Sequence, residues 1–263
     1  MVMKMDTIIC IGAGYSQLPY IEEVKKRGYH LICADRNPNS PGFELADDYI
    51  VSSTFDYKTT PRLIFKKIKN KSKVKSVIAP CTGPPFRTAQ ELRRLFGLPY
   101  YEEKIQNILL DKFFLRKYCN SIGCSNINIF NGKQKLTKNC YPLVKKPRFG
   151  GMGGQDVGIY ASLDDFKKVN QPLKIDQKYV YERLIYGREI AVDAIWDGNS
   201  IVFLNIGWTL FDPELDIIVG STSQSDNILS NLESRIKEVL CKFCSLLQLG
   251  PEVLNADIML DSK

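Results

Sequence analysis

Leu143-Val144-Lys145-Lys146-Pro147-Arg148-Phe149-Gly150-Gly151-Met152-Gly153-Gly154-Gln155-Asp156-Val157-Gly158 joins an apolar, lysine-ended strand to a loop with five glycines in nine residues. Ordering so many glycines costs conformational entropy. Such a loop is either a flexible hairpin tip or a place where backbone closes on a ligand, its successive amides folding over phosphate oxygens. No Gly-Lys-Ser or Gly-Lys-Thr follows, so the segment is not a Walker loop. The period of two along the strand sends Lys145 and Lys146 to opposite faces, and only one of them can point into a cleft as a point charge for phosphate.

Outward from this loop, period-2 alternation predicts antiparallel sheet. Strands are expected at 141–147, 157–161, 179–185, 189–196, 201–210 and 253–260, the turn Asp197-Gly198-Asn199 joining two of them. Helices are expected at 105–121, at 163–169 with Ser162 as cap, and at 225–247, where Leu232, Ile236, Val239, Leu240, Phe243 and Leu247 share a face. In strand 189–196, Glu189, Ala191 and Asp193 lie on one face and Ile190, Val192, Ala194 and Trp196 on the other. The acidic face meets either solvent or a ligand. In the last strand Leu254, Ala256, Ile258 and Leu260 belong to a core, so Asp257 projects from mid-strand toward the other side. A lone carboxylate there calls for a cation such as magnesium or for a structural ion pair. Arg148 and Asp193 are read either as substrate contacts or as ordinary cleft residues, which the sequence does not separate.

Before residue 104 the texture differs. Thr7-Ile8-Ile9-Cys10-Ile11 ends in Gly12-Ala13-Gly14, a helix follows at 18–28, and apolar strands recur at 29–34, 49–52 and 76–80 with helices at 61–69 and 88–96. This alternation predicts a doubly wound parallel sheet. Gly12, Gly14 and Asp35 superficially suit a dinucleotide, but Gln17 stands where the fingerprint needs its third glycine. A tight turn or a small-substrate contact is the remaining reading.

Composition narrows the classes further. With 44% hydrophobic and 11% aromatic residues among 263, the chain is globular rather than disordered. No apolar run reaches the 18 or so residues of a membrane span, and the opening residues lack the apolar core of a secretory signal, so a cytoplasmic protein without a membrane partner is expected. The net charge of +7 invites a nucleic-acid reading. The densest basic stretch, 66–75, has no interleaved aromatics and reads as a solvated helix end, so no nucleic acid is expected. Eight scattered cysteines form no disulfide framework. With His30 the one histidine and Cys241 to Cys244 the one CxxC, zinc and histidine-based nucleophilic catalysis are not supported.

The order of these pieces resembles the ATP-grasp superfamily of carboxylate-amine ligases, in the manner of biotin carboxylase, carbamoyl-phosphate synthetase and the purine-synthesis members. The resemblance runs over nearly the whole chain. Gly12-Ala13-Gly14, Asp35-Arg36-Asn37-Pro38 and Ala46-Asp47 look like the domain preceding the grasp, Asp111-Lys112 like the segment of the first nucleotide lysine. Tyr141 to Pro147 is similar to the strand carrying the second, and Glu182-Arg183-Leu184-Ile185-Tyr186-Gly187-Arg188-Glu189 to the hinge. The resemblance implies a parallel-sheet domain at 1–104, a first antiparallel α+β subdomain at 105–179 and an incomplete second one at 180–263. It implies that Lys112 and Lys146 meet phosphate, that Gly150, Gly151, Gly153 and Gly154 cover it, that Glu182, Arg183 and Leu184 hold adenine, that Glu189 holds ribose, and that Asp257 binds magnesium. The implied cofactors are ATP and Mg2+. The implied reaction is activation of a small carboxylate as an acyl phosphate for attack by an amine. The family's returning Glu-x-Asn strand is not matched before Lys263. That departure leaves open a catalytically impaired nucleotide-binding protein, a fragment, or completion by a homodimer or a separate polypeptide.

Overall fold

The structure is a computed structural model that describes residues 5–130, 136–150, 156–169, 176–212, 217–222 and 227–261. Contacts divide the chain into Met1–Leu110 and Asp111–Lys263.

In the first unit, β1 (Thr7–Ile11), β2 (His30–Asp35), β3 (Asp48–Val51) and β4 (Val74–Ile78) form a parallel sheet in the order β3-β2-β1-β4. Helices α1 (Leu18–Lys26), α2 (Thr60–Lys67), α3 (Pro85–Leu95) and α4 (Glu103–Leu110) alternate with or follow these strands. Every residue of β1 is buried, because both faces of the sheet are covered. Ile9 and Ile11 pack with Ile32, Ile64 and Leu92, while Cys10 packs with Ile21, Leu31 and Phe43. Each fully buried isoleucine contributes roughly 1.5–3 kcal/mol. A continuous β-branched run is the signature of such a strand, which is why this sheet was legible.

The second unit opens with α5 (Lys112–Ser121) and holds two sheets. In the first, β5 (Ile129–Phe130), β6 (Leu143–Pro147), β7 (Gly158–Tyr160) and β8 (Tyr179–Arg183) run antiparallel in the order β5-β8-β6-β7. Helix α6 (Leu163–Val169) packs Phe166 against Tyr160 and Tyr181 on one face of it, and Ser162 Oγ caps that helix by accepting from the Asp165 amide at 3.1 Å. Because β8 completes this sheet, the chain passes to the next one at 184–186. The second sheet has β9 (Gly187–Trp196), β10 (Ile201–Asp212), β11 (Ile217–Ser221) and β12 (Glu252–Asp261) in the order β11-β10-β9-β12. Helix α7 (Asn227–Leu246) covers one face, where Leu229, Ile236 and Leu240 meet Ile190, Val192, Ala194 and Trp208.

One expected element differs. The helix expected at 105–121 is two helices, since Asp111 adopts an extended conformation and caps the second one, its carboxylate accepting from the Phe113 amide at 2.9 Å. Local hydrogen bonding by an aspartate competes with helix continuation at that point. Strand β11 lies where the sequence carries no expectation: glycine and a Ser-Thr-Ser run hide a strand formed by pairing with β10. All eight cysteines are free thiols. No helix among the described residues is long and apolar enough to cross a membrane.

Candidate functional site

Strand β6 sorts its two lysines as the period requires. Lys145 lies over the Tyr179 ring at 4.2 Å, on the face that packs against α6. Lys146 lies on the opposite face, where its Nζ is 2.6 Å from Glu182 Oε2 on the neighbouring β8. Glu182 is 3% exposed, and its other oxygen accepts from Arg116 Nε of α5 at 3.0 Å. Burial opposes the Glu182 charge, but the Lys146 ammonium and the Arg116 guanidinium outweigh it and hold the carboxyl below its ordinary range. Glu182 is thus a buried counterion for a strand lysine and a helix arginine. No local pattern marks Arg116, because only the fold of α5 over β8 brings it there.

The start of α5 brings the other lysine. The Lys112 amide donates to the Arg148 carbonyl at 3.0 Å, and Lys112 Nζ donates to the Gly150 carbonyl at 2.5 Å. Burial and the neighbouring Lys146 ammonium pull the Lys112 ammonium below its usual range, against the opposing fields of Glu182, Asp111 and Asp257. Two cations therefore converge from a helix start and a strand, at the root of the glycine-rich loop. Gly150, exposed and with φ of +63°, opens that loop. Gly151, Gly153 and Gly154 lie outside the described residues.

The open face of the β9–β12 pair supplies the acidic side. Register sets Met259 opposite Glu189, Asp257 opposite Ala191 and Asn255 opposite Asp193, so Glu189, Asp193, Asn255 and Asp257 share one face. Asn255 Nδ2 donates to Asp193 Oδ1 at 2.8 Å. Burial raises Glu189 above the usual carboxylate range and Asp257 adds to the shift; partial loss of water likewise raises Asp257, with Asp193 adding repulsion and Lys112 opposing it. Such a face favours a cation. Among the described residues no three or more His, Cys, Asp or Glu side chains are grouped so as to hold a metal ion by themselves. Gly187 is required at the start of β9, because a Cβ there would overlap the Leu260 carbonyl on β12.

Between the two sheets, the Arg183 amide donates to the Asn128 carbonyl at 2.9 Å and the Leu184 amide to the Pro142 carbonyl at 3.0 Å. Both expected hinge amides are therefore engaged. The Ile185 amide, one residue further on, donates to no described residue, and sequence reading passed over it.

The glycine turn of the first unit behaves in the opposite way. Gln17 Oε1 accepts from the Gly14 amide at 3.1 Å, Gln17 Nε2 donates to the Pro80 carbonyl at 2.9 Å, and the side chain lies against Gly12, whose φ is +102°. Asp35, which a dinucleotide ribose would need, accepts from the Ala13 amide at 2.9 Å and the Asn37 amide at 3.0 Å. Turn and acid satisfy each other.

No protein-family model matches the chain. The N5-carboxyaminoimidazole ribonucleotide synthase of Staphylococcus haemolyticus is 26% identical over 159 residues, which are 57% of this chain and 40% of that protein. Among solved structures, N5-carboxyaminoimidazole synthetase from Staphylococcus aureus, complexed with ADP, superposes with a TM-score of 0.74 at 17% identity, covering 98% of this chain and 67% of that one. L-amino acid ligase from Bacillus licheniformis gives a TM-score of 0.73 at 17% identity over 99% of this chain and 65% of that one. The chain thus spans 40% of the length of the curated relative it matches.

Proposed function

Since the chain has the ATP-grasp fold, we propose that it is an ATP-dependent carboxylate-amine ligase, with ATP held in the second unit. The observation that supports this most is the convergence of Lys112 and Lys146, from different elements, on one side of a field whose other side carries Glu189 and Asp257. A nucleoside triphosphate is a ligand with the matching parts: polyanionic phosphates for the lysines and the glycine loop, ribose hydroxyls for Glu189, and an adenine edge for the backbone at 183–185, where the Ile185 amide donates to none of the described residues. Asp257 would hold magnesium together with the phosphates, and the ion, when bound, neutralises phosphate charge.

The chain's own residues do the rest. Glu182 fixes Lys146 through a buried ion pair, so the ammonium meets phosphate without searching rotamers. A carboxylate oxygen of the acceptor attacks the γ-phosphorus, the bond to the β-phosphate oxygen breaks, and ADP leaves. An amine then attacks the acyl phosphate and inorganic phosphate leaves. Lys112 and Lys146 stabilise the charge that spreads over the transferring group and need not act as bases. We place acceptor and donor among small carboxylates and amines.

The test is ADP formation from ATP and magnesium across a panel of small carboxylates with and without an amine, alongside Lys146→Ala. Turnover that needs both substrates and disappears in the variant supports the ligase. ATP binding with no carboxylate-dependent ADP would replace it with a nucleotide-binding protein that does no ligation.

A further inference from the structure

Arg148, which the sequence offers as a substrate contact, is committed elsewhere. Its guanidinium grips Asp111: Nε lies 3.0 Å from Oδ1 and 3.1 Å from Oδ2, and Nη2 also bonds Oδ2. Asp111 is 1% exposed, and its carboxylate also caps α5 through the Phe113 amide. The Arg148 backbone ties three segments, since its amide donates to the Lys178 carbonyl at 2.9 Å and its carbonyl accepts from the Lys112 amide. Phe113 and Phe114 lie beside the guanidinium, with ring centroids at 5.1 and 5.6 Å. The pair is therefore joined directly to Lys112, through chain and backbone hydrogen bond, and Arg148 lies two residues before Gly150 in the chain.

We propose that Arg148 and Asp111 are positioning residues that hold Lys112 and the root of the glycine-rich loop in register for the phosphates of a bound nucleotide. This rests on the ATP reading of the site. Lys112 follows Asp111 directly, so the direction in which its side chain leaves the helix is set by how that helix start is capped. Gly150 follows Arg148 by two residues, so the carbonyl that Lys112 Nζ now meets is placed by the same arginine. An arginine suits the task where lysine would not, because its planar fork binds both carboxylate oxygens at once and fixes an angle as well as a distance. Lys112 must exchange the Gly150 carbonyl for a phosphate oxygen when nucleotide arrives. The clamp keeps both partners in place for that exchange without touching the ligand.

The inference predicts a split between nucleotides. In calorimetry, Arg148→Lys should weaken ATP binding on the order of fivefold and leave AMP binding unchanged, since AMP lacks the terminal phosphates. In a Lys112→Ala background the same substitution should have no further effect on ATP, because Arg148 acts through Lys112. Circular dichroism and thermal melting of each variant separate these effects from misfolding. An equal loss for ATP and AMP, or a loss that persists undiminished without Lys112, would overturn the positioning role. Absence of ATP and AMP binding in the unaltered protein would instead remove the ATP reading itself. If Arg148→Lys fails to fold, Asp111→Asn, which keeps the capping oxygen and removes the charge, carries the same comparison.

Discussion

Each unit has a glycine-rich turn after an apolar strand, and the two turns differ in what surrounds them. At Gly12-Ala13-Gly14 every polar neighbour named above is satisfied within the protein: Gln17 closes the turn on Pro80 and Asp35 accepts two backbone amides. Gly150 accepts from Lys112, and the charges in the field around Lys112 and Lys146 are in tension. Lys112 is pulled below its usual range, Glu189 and Asp257 are pushed above theirs, and only Glu182 is well compensated. A turn whose groups answer one another is structural, whereas half-buried charges that disfavour their own ionisation describe a place awaiting a ligand of complementary charge. Glycine count alone does not separate the two.

The largest effect that sharpens this contrast is on stability. Glu182→Gln leaves Lys146 and Arg116 facing each other without their buried counterion, and chemical denaturation should show a loss of roughly 3–5 kcal/mol. A loss below about 1 kcal/mol would mean that Glu182 is not the anchor of the site. Next comes ligand binding: Lys146→Ala should weaken ATP on the order of thirtyfold, about 2 kcal/mol, measured by calorimetry. The self-satisfied turn should respond the other way. Gln17→Ala removes two hydrogen bonds and should cost about 1–2 kcal/mol of stability while leaving ATP affinity as it was; a matching loss of affinity would break the contrast.

The smallest effect is the dependence on pH, and its sign differs between carboxylates. Glu182 has a lowered folded pKa, so its contribution is present above the unfolded value near 4.3 and fades as pH falls through the folded one. Glu189 and Asp257 have raised folded pKa values. Their protonated forms favour folding below the unfolded values, and that contribution is lost as pH rises through the folded ones. Asp257→Asn should therefore flatten a slight decline in stability above pH 4, by well under about 1 kcal/mol after solvent screening. A steeper decline in the variant would contradict the sign.

Much of this was legible in the sequence because it rests on local pattern. The buried β1 run, the opposed faces of Lys145 and Lys146, and the capping of α6 by Ser162 each follow from periodicity or turn chemistry within a few residues. What escaped depends on distant pairing. Nothing near Arg116 announces Glu182, 66 residues away, and nothing near Arg148 announces Asp111, 37 residues away. The division of 105–121 into two helices was hidden for a related reason, since Asp111 reads as a helix residue until its carboxylate is seen capping the next turn. That the Arg183 and Leu184 amides already donate to Asn128 and Pro142 is likewise visible only in the paired sheet.

The central claim is that the charged cluster of the second unit receives a nucleoside triphosphate and the glycine turn of the first unit does not receive a dinucleotide. Calorimetric titration of the protein with ATP and magnesium, and separately with NAD, tests both halves at once. The account predicts saturable binding of ATP, tighter than that of AMP and strongly weakened by Lys146→Ala, with no binding of NAD. Binding of NAD that Gln17→Ala alters, or ATP binding indifferent to Lys146, would contradict it.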